Sequence, residues 1–381
     1  MQIKRLVIEN FRGIEKFERD FMDDFGNPAK VILIVGPNSS GKTSILDAIW
    51  FSLMSAVGYP LLRENFRTEP EFVVKTGENF ARVELLITIN DIERDTINDW
   101  KRQLVDLHEE SPIGDITKNE VIVDWTYPSQ YGYREWQYGG YKYFNLDGKA
   151  FTKGWMLLNG IRYYRKLRKA SPQRTQGRDN IGSIFFFEQE RRILSAPVKT
   201  YIPQKSEDSN EANEIDIRSI LIDFGVKDKF GNYPNREKSW YSQVQQGFNE
   251  ICAPHRMGEI YTLSSDGEFE IDFRDEKNQK YTFDGLSSGQ RSVLNFLVQY
   301  TFKRMFNSVV LIDELELHLH PTWQRHILNY LRNRDDGNQF IITTHSPTLA
   351  MYIPDEHIIN LGKLDEIPDW QYEIIGENDD E

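Results

Sequence analysis

The sequence predicts an α/β fold, and three stretches predict it. Val31–Val35 is a run of apolar, mostly β-branched residues that reads as a buried strand, and an apolar helical run comes after it at Ser44–Phe51. Val309–Ile312 is a second buried strand, and it ends in the carboxylate pair Asp313 and Glu314. Phe340–Thr344 is a third, and it ends in His345.

Between the first strand and its helix lies Gly36–Thr43, which fits G-x-x-x-x-G-K-[ST], the phosphate-binding loop. The spacing has a chemical reason. The loop must wrap closely around phosphate oxygens, so Gly36 and Gly41 leave room for the backbone to approach. The N–H groups of Asn38, Ser39, Ser40 and Ser44, with the helix N-terminus, hold negative charge. Lys42 is placed to reach the β- and γ-phosphates and the Thr43 hydroxyl to ligate Mg²⁺. ATP and Mg²⁺ are therefore the expected ligands. At the second strand, Asp313 is expected to hold Mg²⁺ through water and Glu314 to polarise the attacking water. His345 is placed to sense the γ-phosphate.

Ahead of the carboxylate strand stands Leu286–Gln290, LSSGQ. The order of phosphate loop, LSSGQ, hydrophobic strand with Asp-Glu, and strand with His resembles the ATP-binding-cassette (ABC) ATPases, and among them the RecF, SMC, Rad50 and OLD group. Two further stretches carry the likeness. Ile3–Gly13, IKRLVIENFRG, is similar to that group's first strand running into an N-F-R-G turn, which implies Arg12 near the phosphates. Glu314–Pro321, ELELHLHP, is similar to the E-P-E-L-H-L-H-P stretch of OLD-like members. The chain departs at Leu315, where a proline is common, and at Ser288, where transporters carry a second glycine. The likeness covers both ends and leaves most of the middle unmatched. It implies an ABC-ATPase fold with an antiparallel β-subdomain and a helical lobe carrying the signature. It also implies that Ser287, Ser288, Gly289 and Gln290 of one chain cover the nucleotide held by another.

Composition sets outer bounds. A chain of 381 residues suffices for one large domain or two small ones. No segment approaches the roughly 20 apolar residues of a membrane span. The first residues read as a strand rather than a signal peptide. One cysteine, Cys252, excludes a disulfide framework and a CxxC zinc site. A cytoplasmic protein is expected. With a net charge of −13, any contact with nucleic acid requires a local basic patch.

In chain order, residues 1–53 should supply a strand, a Gly-Asn-Pro turn, a second strand, the phosphate loop and its helix. Residues 59–71 read as irregular and polar. Ala81–Asn90 alternates as a half-buried strand, and 91–110 has a helical rhythm at Ile92, Ile97, Trp100, Leu104 and Leu107. Residues 121–155, rich in Tyr and Trp, read as antiparallel strands whose aromatics pack, with base stacking as the alternative. Residues 162–178, RYYRKLRKASPQRTQGR, hold seven Lys or Arg and no carboxylate. Arg162, Arg165, Lys166, Arg168 and Lys169 are thus either a contact for DNA or RNA or a solvated face that pairs with an acidic partner. Ile184–Phe187 is a short strand. The likeness implies that a glutamine after it reaches the Mg²⁺, and Gln189 is the candidate; a plain surface residue is the other reading. Residues 203–214 read as a loop, 215–224 and 239–252 as helices, 259–283 as paired strands, and 291–306 as the signature helix. No heptad repeat is sustained, so no long coiled coil leaves the core. His318 and His320 lack a third ligand at useful spacing and read as residues of the seam between two copies or of packing.

Taken together, the chain reads as one ABC-type ATPase domain: an N-terminal lobe over 1–198, an insertion over 199–258, and the signature and carboxylate part over 259–381. The expected mechanism is ATP-driven closure of two copies, in a homodimer or higher homo-oligomer, without membrane involvement. The stretch after His345 is too short for the Toprim domain of OLD enzymes, so none is expected. This compact build resembles the ATPases of the Septu and PARIS antiphage systems, which implies a sensor and regulatory subunit with a separately encoded effector, often a nuclease. A RecF-like repair ATPase that binds DNA ends or gaps is the alternative. A transporter subunit fits neither ELELHLHP nor the N-F-R-G opening.

Overall fold

The computed structural model describes residues 1–56, 70–107, 118–127, 140–145, 181–189, 193–195, 217–230, 239–262, 269–303 and 305–362. The basic stretch 162–178 and the loop 203–214 fall outside the described residues. The chain forms two compact units: Met1–Ala196 with Phe306–Leu315 and Asp335–Glu381, and Pro197–Met305 with Glu316–Arg334.

The first unit is built on two sheets. Five strands form an antiparallel sheet in the order β2 (Ile14–Asp20), β1 (Gln2–Phe11), β4 (Ala81–Thr88), β5 (Glu120–Tyr127), β6 (Gly140–Asn145). Burial alternates along β4, so one face packs inward. Trp125 on β5 has no exposed surface and sits 6.3 Å from Phe11 and 5.9 Å from Phe51, ring centre to ring centre. This aromatic packs the core and is not available for stacking. Sequence reading missed β2. Its residues IEKFERD are mostly exposed and charged, which suits an edge strand and hides the alternation that reveals strands.

The second sheet has six strands in the order β14 (Ile358–Asn360), β3 (Val31–Val35), β13 (Gln339–Thr344), β12 (Val309–Ile312), β7 (Ile184–Phe187), β8 (Ile193–Ser195). All neighbours are parallel except β7 and β8. Every residue of β3, β7, β12 and β13 is buried, as expected where both faces are covered. One cover is α1 (Lys42–Ala56), which buries Ile45, Leu46, Ile49, Phe51 and Leu53. The α2 helix (Asp91–Asp106) turns Ile97, Trp100 and Leu104 inward and is capped by the Asn90 side chain, which accepts from the Glu93 amide.

Because β3, β7, β12 and β13 are parallel and closely in register, their N-terminal ends share one edge. Buried polar side chains tie that edge together. The Gln339 amide donates to Ile3 O (2.8 Å) and Ala29 O (3.1 Å) and accepts from Ile3 N (2.7 Å). Asn338 accepts from Ser308 N, and the Ser308 hydroxyl accepts from Ser183 N. Gly182 passes so close to the Asn307 backbone that a Cβ there would lie 1.8 Å from Asn307 O.

The second unit holds α3 (Ile217–Phe230), α4 (Trp240–Ile251), α5 (Ser288–Phe302) and α6 (Pro321–Asn333), with a three-stranded antiparallel sheet ordered β11 (Lys280–Tyr281), β10 (Phe269–Arg274), β9 (Arg256–Thr262). The Ser239 hydroxyl caps α4 by accepting from Ser242 N. Leu221, Phe224, Val244, Phe248, Phe273 and Leu297 are buried. Among the described residues, no helix is long and apolar enough to cross a membrane.

Gly182→Ala should cost about 3 kcal/mol of stability, because the added methyl meets backbone that cannot rotate away. Gly13→Ala, with no atom within 4 Å of the new Cβ, should shift stability little. Thermal denaturation of the two variants against the parent protein checks both.

Candidate functional site

The C-terminal ends of the four parallel strands also share one edge, and the candidate residues come directly after them. Val35 pairs with Thr344, Ile342 with Ile312, and Ile312 with Phe187. The phosphate loop, His345, the Asp313–Glu314 pair and Gln189 therefore emerge side by side, where open α/β sheets place ligands.

The loop from Gly36 to Thr43 turns twice through the left-handed region, at Ser39 (φ 63°) and Gly41 (φ 96°). The turns fold the loop over the Lys42 side chain. Lys42 is 5% exposed, and its Nζ donates to Gly36 O (3.0 Å) and Pro37 O (2.9 Å) and meets His345 Nδ1 at 3.3 Å. Within the same loop, Ser40 Oγ is buried with no hydrogen-bond partner among the described residues, and a Cβ on Gly36 would meet it at 2.6 Å.

Thr43 opens α1, and its hydroxyl lies 3.1 Å from both Asp313 oxygens. Asp313 is 2% exposed. A second threonine reaches it from the neighbouring strand: Thr343 Oγ1 donates to Asp313 Oδ1 at 2.6 Å. Thr343 Oγ1 also accepts the Glu314 amide at 2.9 Å, and the Asp313 amide donates to Phe187 O. Glu314 itself stands in the left-handed region (φ 49°), uncommon for a side chain of this size. The turn brings its Oε1 within 3.4 Å of His345 Nε2. The imidazole thus lies between Lys42 on one nitrogen and Glu314 on the other.

Sequence reading passed over Thr343. Its only trace is a second threonine at the end of FIITTH, and nothing in the pattern says that it faces the neighbouring strand's carboxylate. Arg12 comes after β1 with φ 51°, and its Nη1 pairs at 2.6 Å with Asp47, one helical turn beyond Thr43 on α1. Gln189 is exposed, two residues past the end of β7. Asn38 and Ser39 are exposed at the loop's tip, while Ser44 is half-buried in the first turn of α1.

In the second unit, LSSGQ forms the start of α5. Ser287 is the N-cap: its hydroxyl accepts from Gln290 N (3.2 Å), and the Gln290 side chain accepts from Ser287 N (2.9 Å). This reciprocal capping box satisfies two amides of the helix end. Ser287 and Ser288 remain exposed, and Gly289 is buried against the segment that comes after ELEL. A Cβ on Gly289 would lie 2.6 Å from His318 O and 3.2 Å from the Trp323 ring. His320 caps α6 by accepting from Thr322 N through Nδ1 (3.3 Å), and His318 adopts φ 65°. Arg162, Arg165, Lys166, Arg168 and Lys169 lie outside the described residues.

Thr343→Val keeps the shape of the side chain and removes the donor to Asp313 and the acceptor for Glu314. The expected cost is about 1–3 kcal/mol. Thr343→Ser, which restores the hydroxyl, should recover most of it. Chemical denaturation of the pair decides the point.

Comparison with known proteins identifies the setting of these residues. Residues 157–351 match the family profile described as "AAA domain, putative AbiEii toxin, Type IV TA system", and residues 1–111 match one described as "AAA ATPase domain". The chain is 24% identical to the "Septu protein PtuA" of Bacillus thuringiensis, over 96% of this chain and 77% of that protein. It is 26% identical to the "DNA replication and repair protein RecF" of Shewanella pealeana, over 91% of this chain and 93% of that protein. A 57-residue stretch is 46% identical to the "Retron Vc95 probable ATPase" of Vibrio cholerae, spanning 15% of this chain and 11% of that protein. Among solved structures, an SMC head bound to the C-winged helix domain of ScpA superposes with a TM-score of 0.50 at 15% identity, over 94% of each chain; this likeness speaks to the fold. With a family profile matching over half its length, the chain belongs to the AAA-domain family named above and is an ATPase of the ABC type, in the RecF, SMC and OLD-like group.

Proposed function

We propose that the chain is the sensor and regulatory ATPase of a cytoplasmic antiphage defence complex, in which two copies close on ATP and act through a separately encoded effector, a nuclease. One observation carries the catalytic part. A single strand edge in the first unit gathers two contact sets: Lys42, His345 and Glu314 in one, Thr43 and Asp313 in the other.

The chemistry of each group sets its role. Lys42 exchanges the Gly36 and Pro37 carbonyls for phosphate oxygens. Ser40 Oγ, a buried hydroxyl with no partner among the described residues, supplies a further donor. The amides of Asn38, Ser39 and Gly41, with those of Lys42, Thr43 and Ser44 at the start of α1, offer donors to the same anion. Thr43 and Asp313 are hard oxygen ligands that already meet, and they fit Mg²⁺, which keeps several waters and needs few protein ligands. Bound there, the ion neutralises charge on the phosphates. Glu314 accepts a hydrogen bond from the attacking water. As the water oxygen bonds to the γ-phosphorus, the bond to the β,γ-bridging oxygen breaks and ADP takes its electrons. The water proton passes to Glu314 and then to the released phosphate. His345 holds Glu314 in place and touches Lys42, so it is set to respond to what Lys42 binds. Arg12 joins the phosphate set from the α1 side, and Gln189 joins the Mg²⁺ and water set from the end of β7.

The second copy completes the site. Ser287 Oγ accepts from Gln290 N as a cap, which leaves its hydroxyl proton for a γ-phosphate oxygen. The exposed Ser288 and the Gly289 amide sit at the positive end of α5 and add to the same field. Hydrolysis is accordingly slow until two copies close. The defence role is supported by the likeness to Septu PtuA along nearly the whole chain and by the local identity with a retron ATPase. A second reading, a RecF-like ATPase clamping DNA ends or gaps, is favoured by the match along 93% of a RecF protein.

Glu314→Gln should sediment as a dimer with ATP and as a monomer without it; an absence of ATP-dependent association would remove the closure mechanism. Tagged and recovered from its native host with ATP, the same variant should bring down a stoichiometric nuclease. Recovery of DNA or repair factors alone would move the assignment to the RecF-like reading. Reversing the charges of Arg162, Arg165, Lys166, Arg168 and Lys169 separates the two readings a second way. Retention on DNA at low salt should be unchanged under the defence reading and abolished under the repair reading, because phosphate contacts dominate such binding.

A further inference from the structure

We propose that Tyr281 is the positioning residue of the LSSGQ turn, its hydroxyl fixing the Gln290 amide and, through it, the Ser287 cap. The inference rests on the reading that Ser287 and Gly289 close over nucleotide held by a second copy. Gln290 is 3% exposed, and both ends of its amide are spoken for: Oε1 accepts from Ser287 N at 2.9 Å, and Nε2 donates to Tyr281 Oη at 3.1 Å. A buried amide is oriented only by its partners. With the phenol oxygen taking Nε2–H, Oε1 is the end left facing the Ser287 amide. Without the phenol oxygen, Nε2 is a buried donor short of a partner, and the amide gains by turning away from Ser287.

Tyr281 is itself held. Its oxygen, which accepts from Gln290, also lies 3.3 Å from His255 Nδ1. Burial pushes the phenol above its ordinary range, so the proton stays on it at neutral pH. The ring stacks on Phe273 at 5.7 Å and 26° and meets His255 edge-on at 6.2 Å. His255 also meets Trp323 edge-on at 6.0 Å, and Trp323 is the ring that closes off Gly289. Tyr281 therefore holds the cap side of the turn and Trp323 its glycine side, with His255 against both. None of the roles assigned to LSSGQ requires the phenol hydroxyl, which leaves positioning as its contribution.

The test places Tyr281→Phe in the Glu314→Gln background and compares it with Phe273→Leu, which disturbs the stacked ring and keeps the hydroxyl. Amide hydrogen exchange of the free protein over residues 286–291 should speed up about tenfold in Tyr281→Phe. ATP-dependent association should weaken by about the same factor, while the affinity of the monomer for a fluorescent ATP analogue stays at the parental value. Phe273→Leu should lower thermal stability and leave exchange at 286–291 and association as in the parent. Parental exchange and association in Tyr281→Phe would overturn the proposal, as would equal effects of the two variants. If the Glu314→Gln parent does not associate with ATP, the two-copy closure reading fails, and the exchange comparison alone decides the role of Tyr281.

Discussion

The Asp313 carboxylate is the point on which the first unit's site depends. It is almost fully buried, and a buried carboxylate is tolerated only where hydrogen bonds replace water. Two threonine hydroxyls supply them, Thr43 from the start of α1 and Thr343 from the end of β13, the first 270 residues distant in sequence. The bonds fix more than one charge. Thr43 locates the first turn of α1 and so the phosphate loop that ends there. Thr343 accepts the Glu314 amide on the same oxygen and so holds the left-handed turn that aims Glu314 at His345. A left-handed conformation at a non-glycine residue costs about 1–2 kcal/mol, and the amide bond to Thr343 is one of the contacts that offset it.

This arrangement is available because the strands are parallel and in register. β3, β7, β12 and β13 deliver their candidate residues at the same edge, and the opposite edge is given over to fixing the register. Gln339, Asn338 and Ser308 form a buried polar seam there, while Gly182 admits a close backbone crossing that a side chain would block. A one-residue slip of β12 against β13 would separate Thr343 from Asp313 and turn alternate side chains to the wrong face. The polar seam is costly to leave unsatisfied, so it specifies the pairing more sharply than the uniformly apolar strand interiors can.

The parts of the site that were legible in the sequence are those whose chemistry is local. The phosphate loop is written in eight consecutive residues because its function is a backbone conformation, and glycine spacing encodes that directly. Asp313, Glu314 and His345 were legible as polar ends of apolar strands. Thr343 was not, since a buried threonine in a strand has the same local pattern whether it packs or donates. β2 was missed because its charged edge leaves no alternation to read. Tyr281 and His255 carry no signal at all in one dimension: Tyr281 reaches Gln290 from β11 and His255 reaches Tyr281 from the turn before β9, and only the sheet that sets both strands beside β10 brings them together. The basic stretch 162–178 remains the clearest feature of the sequence for which the described residues supply no setting.

The two halves of the proposed site differ in how they are held, and the difference arises from the task of each. The phosphate-loop half is held by side-chain bonds that join the start of α1 to residues at and just after the strand ends. LSSGQ is an exposed helix end, and an exposed end frays unless something beyond the helix restrains it. The capping box alone closes a reciprocal loop of two residues. The surrounding side chains convert it into a fixed surface: Gln290 is anchored to Tyr281, and Gly289 is wedged against the His318 carbonyl and Trp323. The wedge comes from the segment the chain enters directly after Glu314. Within the second unit, residues shortly downstream of Glu314 therefore pack on Gly289. The start of α5 is thereby restrained from outside its own helix, by Tyr281 on one side and by the His318 carbonyl and Trp323 on the other.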